Sequence, residues 1–270
     1  MSVIEDVFNH LKVENEGALI AYIMAGDPHP KYTSKIVEAL VEGGADIIEL
    51  GIPFSDPIAD GPTIQAASAR SLKSGTTPQT VFSLVSKIKA KYSIPIVLLT
   101  YYNPVFKMGL KNFFADAKDS GVDGTIVPDL PIEEAGDYIT IARDHEINTI
   151  FLASPSTPRD RLLKILNYTS GFLYLVSVFG VTGVREEISD STVELLRSFL
   201  HYTKGRIPLA VGFGISNPAQ IETIIRNGAE GAIVGSSLVN IVQKNLDNID
   251  KIVEELKDRT CRLKAATRIS

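Results

Sequence analysis

The sequence predicts an α/β protein, a single (β/α)8 TIM barrel spanning 1–270 with an extra N-terminal helix. Eight short apolar runs rich in Val, Ile, Leu and Tyr alternate with longer amphipathic stretches. The repeat is roughly thirty residues, the size of a βαβ unit. The runs are apolar at nearly every position, as strands of a parallel sheet covered on both faces must be. Eight units with a helix after the last suit a closed barrel better than an open sheet, and 270 residues fit the roughly 250 that such barrels take. A doubly wound sheet is the alternative. The first βα connection, Met24-Ala-Gly-Asp-Pro-His-Pro30, argues against it because it lacks the G-x-G-x-x-G fingerprint.

Taken in order, Ile4–Lys12 is amphipathic and predicts an extra helix that plugs the bottom of the barrel. The strands are Ala18–Ala25, Asp46–Ile52, Ile94–Tyr102, Thr125–Pro128, Thr149–Ala153, Phe172–Val178, Ile207–Phe213 and Gly231–Gly235. Helical patterns between them include Lys31–Glu42, Pro78–Lys91, Asn112–Asp119, Ile132–Glu146 and Pro218–Asn227, and Leu246–Cys261 follows the last strand. Gly43-Gly44-Ala45-Asp46, Gly121-Val122-Asp123-Gly124 and Gly228-Ala229-Glu230-Gly231 stand before strands 2, 4 and 8. Each reads as a helix stopped by a left-handed glycine and turned into a strand.

Composition narrows the function. A formal net charge of −5 gives no basic face for nucleic acid or an anionic membrane. No apolar run reaches the about 18 residues of a membrane span. The N-terminus is acidic and lacks the pattern of a signal peptide. One cysteine, Cys261, allows neither an intramolecular disulfide nor a metal cluster, so a reducing, cytoplasmic location is expected.

Barrels of this kind place chemistry at the C-terminal ends of their strands. Strand 2 carries Glu49, and alternation puts Ile47, Glu49 and Gly51 on one face, without showing which face is inside. Inward, the carboxyl would be desolvated and its pKa raised, which suits a general acid or base. Outward, it would form a structural ion pair with Arg or Lys. The next segment, Gly51-Ile-Pro-Phe-Ser-Asp-Pro-Ile-Ala-Asp-Gly-Pro62, is a loop shaped by its prolines and glycines. It can bring Asp60 or Asp56 to Glu49, although Asp60 before Gly61-Pro62 could instead cap the following helix. Strand 7 ends Val211-Gly-Phe-Gly-Ile-Ser216, strand 8 ends Ile233-Val-Gly-Ser-Ser237, and strand 6 leads into Phe179-Gly-Val-Thr-Gly-Val184. Three neighbouring Gly-rich ends predict a phosphate site built on backbone N–H groups and a helix N-terminus. The same glycines could serve only tight turns.

Absences narrow the reaction further. None of the eight runs holds a Lys, so no Schiff-base nucleophile is evident. His10, His29, His145 and His201 are scattered and offer no zinc cluster. Carboxylate acid–base chemistry on a phosphorylated substrate remains, with the substrate as its own electron sink.

These residues resemble the α subunits of tryptophan synthase over nearly the whole chain. The distinctive block is Glu49–Pro62, supported by Tyr22-Ile-Met-Ala-Gly-Asp-Pro28, Gly180-Val-Thr-Gly183, Gly212-Phe-Gly-Ile-Ser216 and Gly235-Ser236. The resemblance implies a (β/α)8 barrel that cleaves indole-3-glycerol phosphate to indole and glyceraldehyde 3-phosphate. It implies an α2β2 assembly with a PLP-dependent β subunit that receives the indole, and no cofactor in this chain. Glu49 and Asp60 are the implied catalytic carboxylates, Glu49 protonating indole C3 and Asp60 facing the ring N–H, with Tyr174 supporting Glu49. The implied phosphate site is Gly183, Gly212, Phe213, Gly214, Gly235 and Ser236. The implied indole pocket is Tyr22, Leu99, Ile126 and Leu152 with Tyr101 nearby, and Thr182 orders the strand-6 loop over it. The chain departs from commoner family patterns at Val178-Phe179 and at Tyr22, where many members carry Phe.

A sibling phosphate barrel such as indole-glycerol-phosphate synthase or phosphoribosylanthranilate isomerase would share strands 7 and 8, but a synthase would carry catalytic lysines on its strands, and the Glu49–Pro62 block belongs to neither. A free-standing indole-3-glycerol-phosphate lyase would use the same residues without a partner. A non-catalytic regulatory subunit would have no need of Glu49 and Asp60.

Overall fold

In the computed structural model, described over residues 2–176, Ile188, 190–212 and 214–269, strands and helices alternate as the sequence predicts. The chain begins with α1 (Val3–Val13), β1 (Ala18–Met24), α2 (Pro30–Glu42), β2 (Ile47–Gly51), α3 (Pro62–Lys73), α4 (Pro78–Lys89) and β3 (Ile96–Leu99). It continues through α5 (Tyr102–Met108), α6 (Leu110–Ser120), β4 (Gly124–Ile126), α7 (Gly136–Asp144), β5 (Asn148–Thr149), β6 (Leu152–Ala153), α8 (Arg159–Tyr168) and β7 (Leu173–Val176). It ends with α9 (Asp190–Thr203), β8 (Leu209–Gly212), α10 (Pro218–Arg226), β9 (Gly231–Val234), α11 (Ser236–Lys244) and α12 (Ile249–Ala265).

All the strand pairs are parallel, in the order β5-β4-β3-β2-β1-β9-β8-β7-β6. The two ends of that order, β5 and β6, are consecutive pieces of one strand. Its first half bonds β4, where Ile150 N–H donates to the Thr125 carbonyl, and its second half bonds β7, where Tyr174 N–H donates to the Phe151 carbonyl. The sheet therefore closes into a barrel. The fifth run, expected as one strand over Thr149–Ala153, is split because it changes partners at Ile150-Phe151.

Most other strands are shorter than their apolar runs. Pro95 and Pro128 lack N–H donors, so β3 starts after one and β4 ends before the other. Ile132–Glu146 is helical only over Gly136–Asp144, because Pro131 to Glu134 forms a turn instead. The last helix starts at Ile249 rather than Leu246, where the Asn248 side chain accepts from the Lys251 N–H and caps it. Gly44, Gly121 and Gly228 all take left-handed φ angles, as the three repeated turns require.

Alternate residues divide the core in two. Leu19, Ala21, Ile23, Ile48, Leu50, Ile96 and Leu98 face the helices, within the larger cluster. Ile20, Tyr22, Met24, Ile47, Val97, Leu99, Ile126, Ile150, Phe172, Tyr174, Ala210 and Ile233 fill the barrel interior. The expected plug is present. Ile4, Phe8 and Leu11 of α1 join the interior cluster, and Phe8 packs 5.8 Å from Phe172. No described helix is long and apolar enough to cross a membrane.

Candidate active site

Register decides what periodicity leaves open for Glu49. It pairs with Tyr22 of β1 and Val97 of β3, both interior residues, so its side chain points into the barrel. Glu49 is 1% exposed and, among the described residues, makes no ion pair with Arg or Lys. Burial pushes its carboxyl up to about 8, and the nearby Asp60 carboxyl adds to the rise.

The Pro53–Gly61 loop brings Asp60 to the same place. The cap of α3 is Gly61, without a side-chain cap bond, so Asp60 is not a capping residue. The Tyr101 hydroxyl donates to the Asp60 carboxyl and accepts the Ala59 N–H at 3.0 Å. Burial raises Asp60 to about 6, and the Tyr101 bond opposes that rise. The loop is also held at its start. The Ser68 hydroxyl on α3 accepts the Phe54 N–H at 2.9 Å and donates to the Phe54 carbonyl at 2.8 Å. Phe54 stacks on Tyr101 with ring centroids 5.5 Å apart.

A cavity of about 80 Å³ opens above these groups. Tyr22, Glu49, Asp60, Leu99, Tyr174, Gly214, Gly235 and Ser236, all among the site residues that the resemblance implies, line it. The expected indole-pocket residues Ile126 and Leu152 lie in or against the interior cluster but are not part of this lining, and Tyr101 stands behind as the post for the loop. Gly212 is also off the wall. A Cβ there would lie 2.5 Å from the Tyr174 hydroxyl, so this glycine makes room for that ring. Gly183, Phe213, Thr182 and the pair Val178-Phe179 lie outside the described residues. Sequence reading missed Ile64, Ile215 and Ile233. Ile233 could have been found from its position at a strand end. Ile64 and Ile215 follow loops whose path no periodicity reveals.

The Tyr174 hydroxyl is pushed well above its usual range by burial, then by Glu49 and Asp60, so it faces the carboxyl pair. Gly235 caps α11 without a side chain, leaving the first-turn N–H groups directed at the cavity end lined by Gly214, Gly235 and Ser236. Among the described residues, three buried side-chain polar atoms lack a partner: the Tyr22 hydroxyl, one Glu49 oxygen and the Ser237 hydroxyl. Tyr22 and Glu49 line the cavity, and Ser237 belongs to the first turn of α11. The described lining holds no Lys or Arg.

The profile of the tryptophan synthase alpha chain family matches residues 8–268. The chain belongs to that family. The alpha chain of Methanosarcina barkeri is 49% identical over 257 residues, covering 94% of this chain and 95% of the relative. That of Methanocaldococcus jannaschii is 47% identical, covering 93% and 88%. The fold matches a chain of the tryptophan synthase complex from Pyrococcus furiosus, with a TM-score of 0.84, 43% identity and coverage of 92% and 98%. It also matches the tryptophan synthase alpha chain of Legionella pneumophila, with a TM-score of 0.90, 32% identity and coverage of 99% and 97%. Membership in the tryptophan synthase alpha chain family makes this a lyase-family barrel, and it carries a cavity at its strand ends.

Proposed function

We propose that the chain cleaves indole-3-glycerol phosphate to indole and glyceraldehyde 3-phosphate by acid–base retro-aldol chemistry. The observation that carries this reading is a fully buried Glu49, raised to about 8, sharing a cavity with Asp60, raised to about 6. At neutral pH Glu49 holds a proton and Asp60 is mainly ionised, so one site has both an acid and an anion. Glu49 delivers its proton to C3 of the indole ring. The ring becomes an electron sink, and Asp60 stabilises the positive charge that develops at its nitrogen. Loss of the glycerol hydroxyl proton then breaks the carbon–carbon bond. Glu49, now a carboxylate, is free to act as base, and Tyr174 holds it in place. The phosphate sits at Gly214, Gly235 and Ser236, bound by the α11 N-terminus.

The β-subunit partner rests on the surface beside the mouth. Ile58, in the loop that carries Asp60, is 81% exposed, and Phe106 of α5 is 68% exposed. Exposed apolar residues around a functional loop support docking there. In that assembly the PLP belongs to the partner, which consumes the indole. Steady-state indole release by Glu49→Gln tests the reading. Acid–base catalysis contributes roughly 10²–10⁴-fold, so the rate should fall by at least that factor with substrate affinity largely kept. Near-normal release would overturn it.

A further inference from the structure

Tyr22 offers a group that the proposed chemistry does not use. Its ring crosses the cavity floor. A Cβ on Gly235 would lie 3.2 Å from Tyr22 Cδ1, whereas a Cβ on Gly51 would lie 2.5 Å from the Tyr22 hydroxyl. The side chain therefore starts under the Gly235 end and presents its hydroxyl at the Gly51 end. Gly51 is two residues beyond Glu49 on the same strand face, and the Asp60 loop follows it. Among the described residues, this buried hydroxyl has no partner. Burial acts most strongly on its proton, and the charged and titratable groups facing it are, in falling order of influence, Asp60, Glu49, Tyr101 and Tyr174. Asp60, for its part, has one donor shown among the described residues, Tyr101. A buried donor lacking an acceptor thus shares a cavity with a carboxylate short of donors.

We propose that the Tyr22 hydroxyl is a positioning group for the reaction, a second donor that pairs with the Asp60 carboxylate once substrate fills the cavity. The inference rests on the role assigned to Asp60 above. A neutral phenol beside an ionised carboxylate favours the charged form, which is the form that must oppose positive charge on the indole ring. Phe at this position would give the same packing and no such donor.

The experiment is the pH dependence of indole release by wild type and Tyr22→Phe, with kcat and kcat/KM resolved. Removing the donor should raise the pKa of Asp60 in the substrate complex. The acid limb of kcat should move up by roughly one pH unit. The limb of kcat/KM, which reports the free enzyme, should stay where it is. A change in KM with an unmoved kcat limb would mean packing alone and would overturn the proposal. Asp60→Asn, measured in parallel, separates the two readings. If that variant keeps full activity, the acid–base assignment falls and this inference falls with it. If it is inactive while Tyr22→Phe leaves the limb unmoved, this inference alone is wrong.

Discussion

At Glu49 and Asp60, two carboxyls in one cavity carry raised but unequal pKa values, about 8 and about 6. Glu49 acts as an acid only below its pKa, and Asp60 opposes positive charge only above its own. Cleavage should follow a bell-shaped pH profile with limbs near 6 and 8. A flat profile across that range would argue against the pairing. The same burial bears on stability. The folded pKa of Glu49 exceeds its ordinary value of 4.5, so the folded state binds the extra proton and stability falls as pH rises from there to about 8. Glu49→Gln carries no titrating carboxyl. Its melting temperature should exceed that of wild type by a margin that widens through this range. An equal margin at pH 5 and pH 9 would show that Glu49 is not buried as described. These carboxyls were legible in the sequence as residue types in a telling pattern, but their geometry was not. Barrel strands are apolar on both faces, so alternation could not orient Glu49. The register with Tyr22 does. Asp60 before Gly61 looks like a cap until Gly61 proves to be the cap itself.

The loop between β2 and α3 is tied at two points, by Ser68 at Phe54 and by Tyr101 at Ala59. Between the ties, Ser55, Asp56 and Ile58 are exposed. Ile58 is exposed at the tip, whereas Phe54 is only half-exposed. Its ring turns in against Tyr101 and stacks on it. Ser68→Ala would leave both polar groups of Phe54 without this partner. It should cost about 1–3 kcal/mol in a denaturant melt. It should also lower kcat more than it raises KM, because the loop aims Asp60 rather than binding substrate. In the phosphate site that the resemblance implies, Gly212→Val would obstruct phosphate directly. The contact with Tyr174 gives a different route. The new side chain must push that ring away from Glu49, so kcat should drop along with any rise in KM. A change confined to KM would return Gly212 to the phosphate site. Helices were legible from their amphipathic period and strands as short, nearly continuous apolar runs. Their ends depended on prolines and turns whose bonds are not local.

For the whole molecule, the mouth holds the site, and the rim beside it holds Ile58 and Phe106. If a β-type subunit docks there, it engages the untied tip of the loop. The isolated chain should be a weak lyase, and the partner should raise kcat more than it lowers KM. Steady-state cleavage with and without the partner checks this, and Asp56→Ala and Pro57→Ala should blunt the response. An unchanged rate on adding the partner would remove the coupling role from the loop. The bottom is fastened differently. Lys264 of α12 bonds both Glu16 and Asp46, at 3.0 and 2.9 Å, joining the last helix to the segments that flank the first two strands. The ring of strands is not equally strong all round. Its narrowest joint is β5 with β6, two residues each, one bonded to β4 and the other to β7. A closed ring has no free strand edge to recruit a neighbouring molecule. Opening that joint would expose two edges at once, along β4 and β7. Amide exchange should be faster at Asn148–Ala153 than at β1 or β2, and partly unfolded chains should aggregate through the edges this joint normally hides.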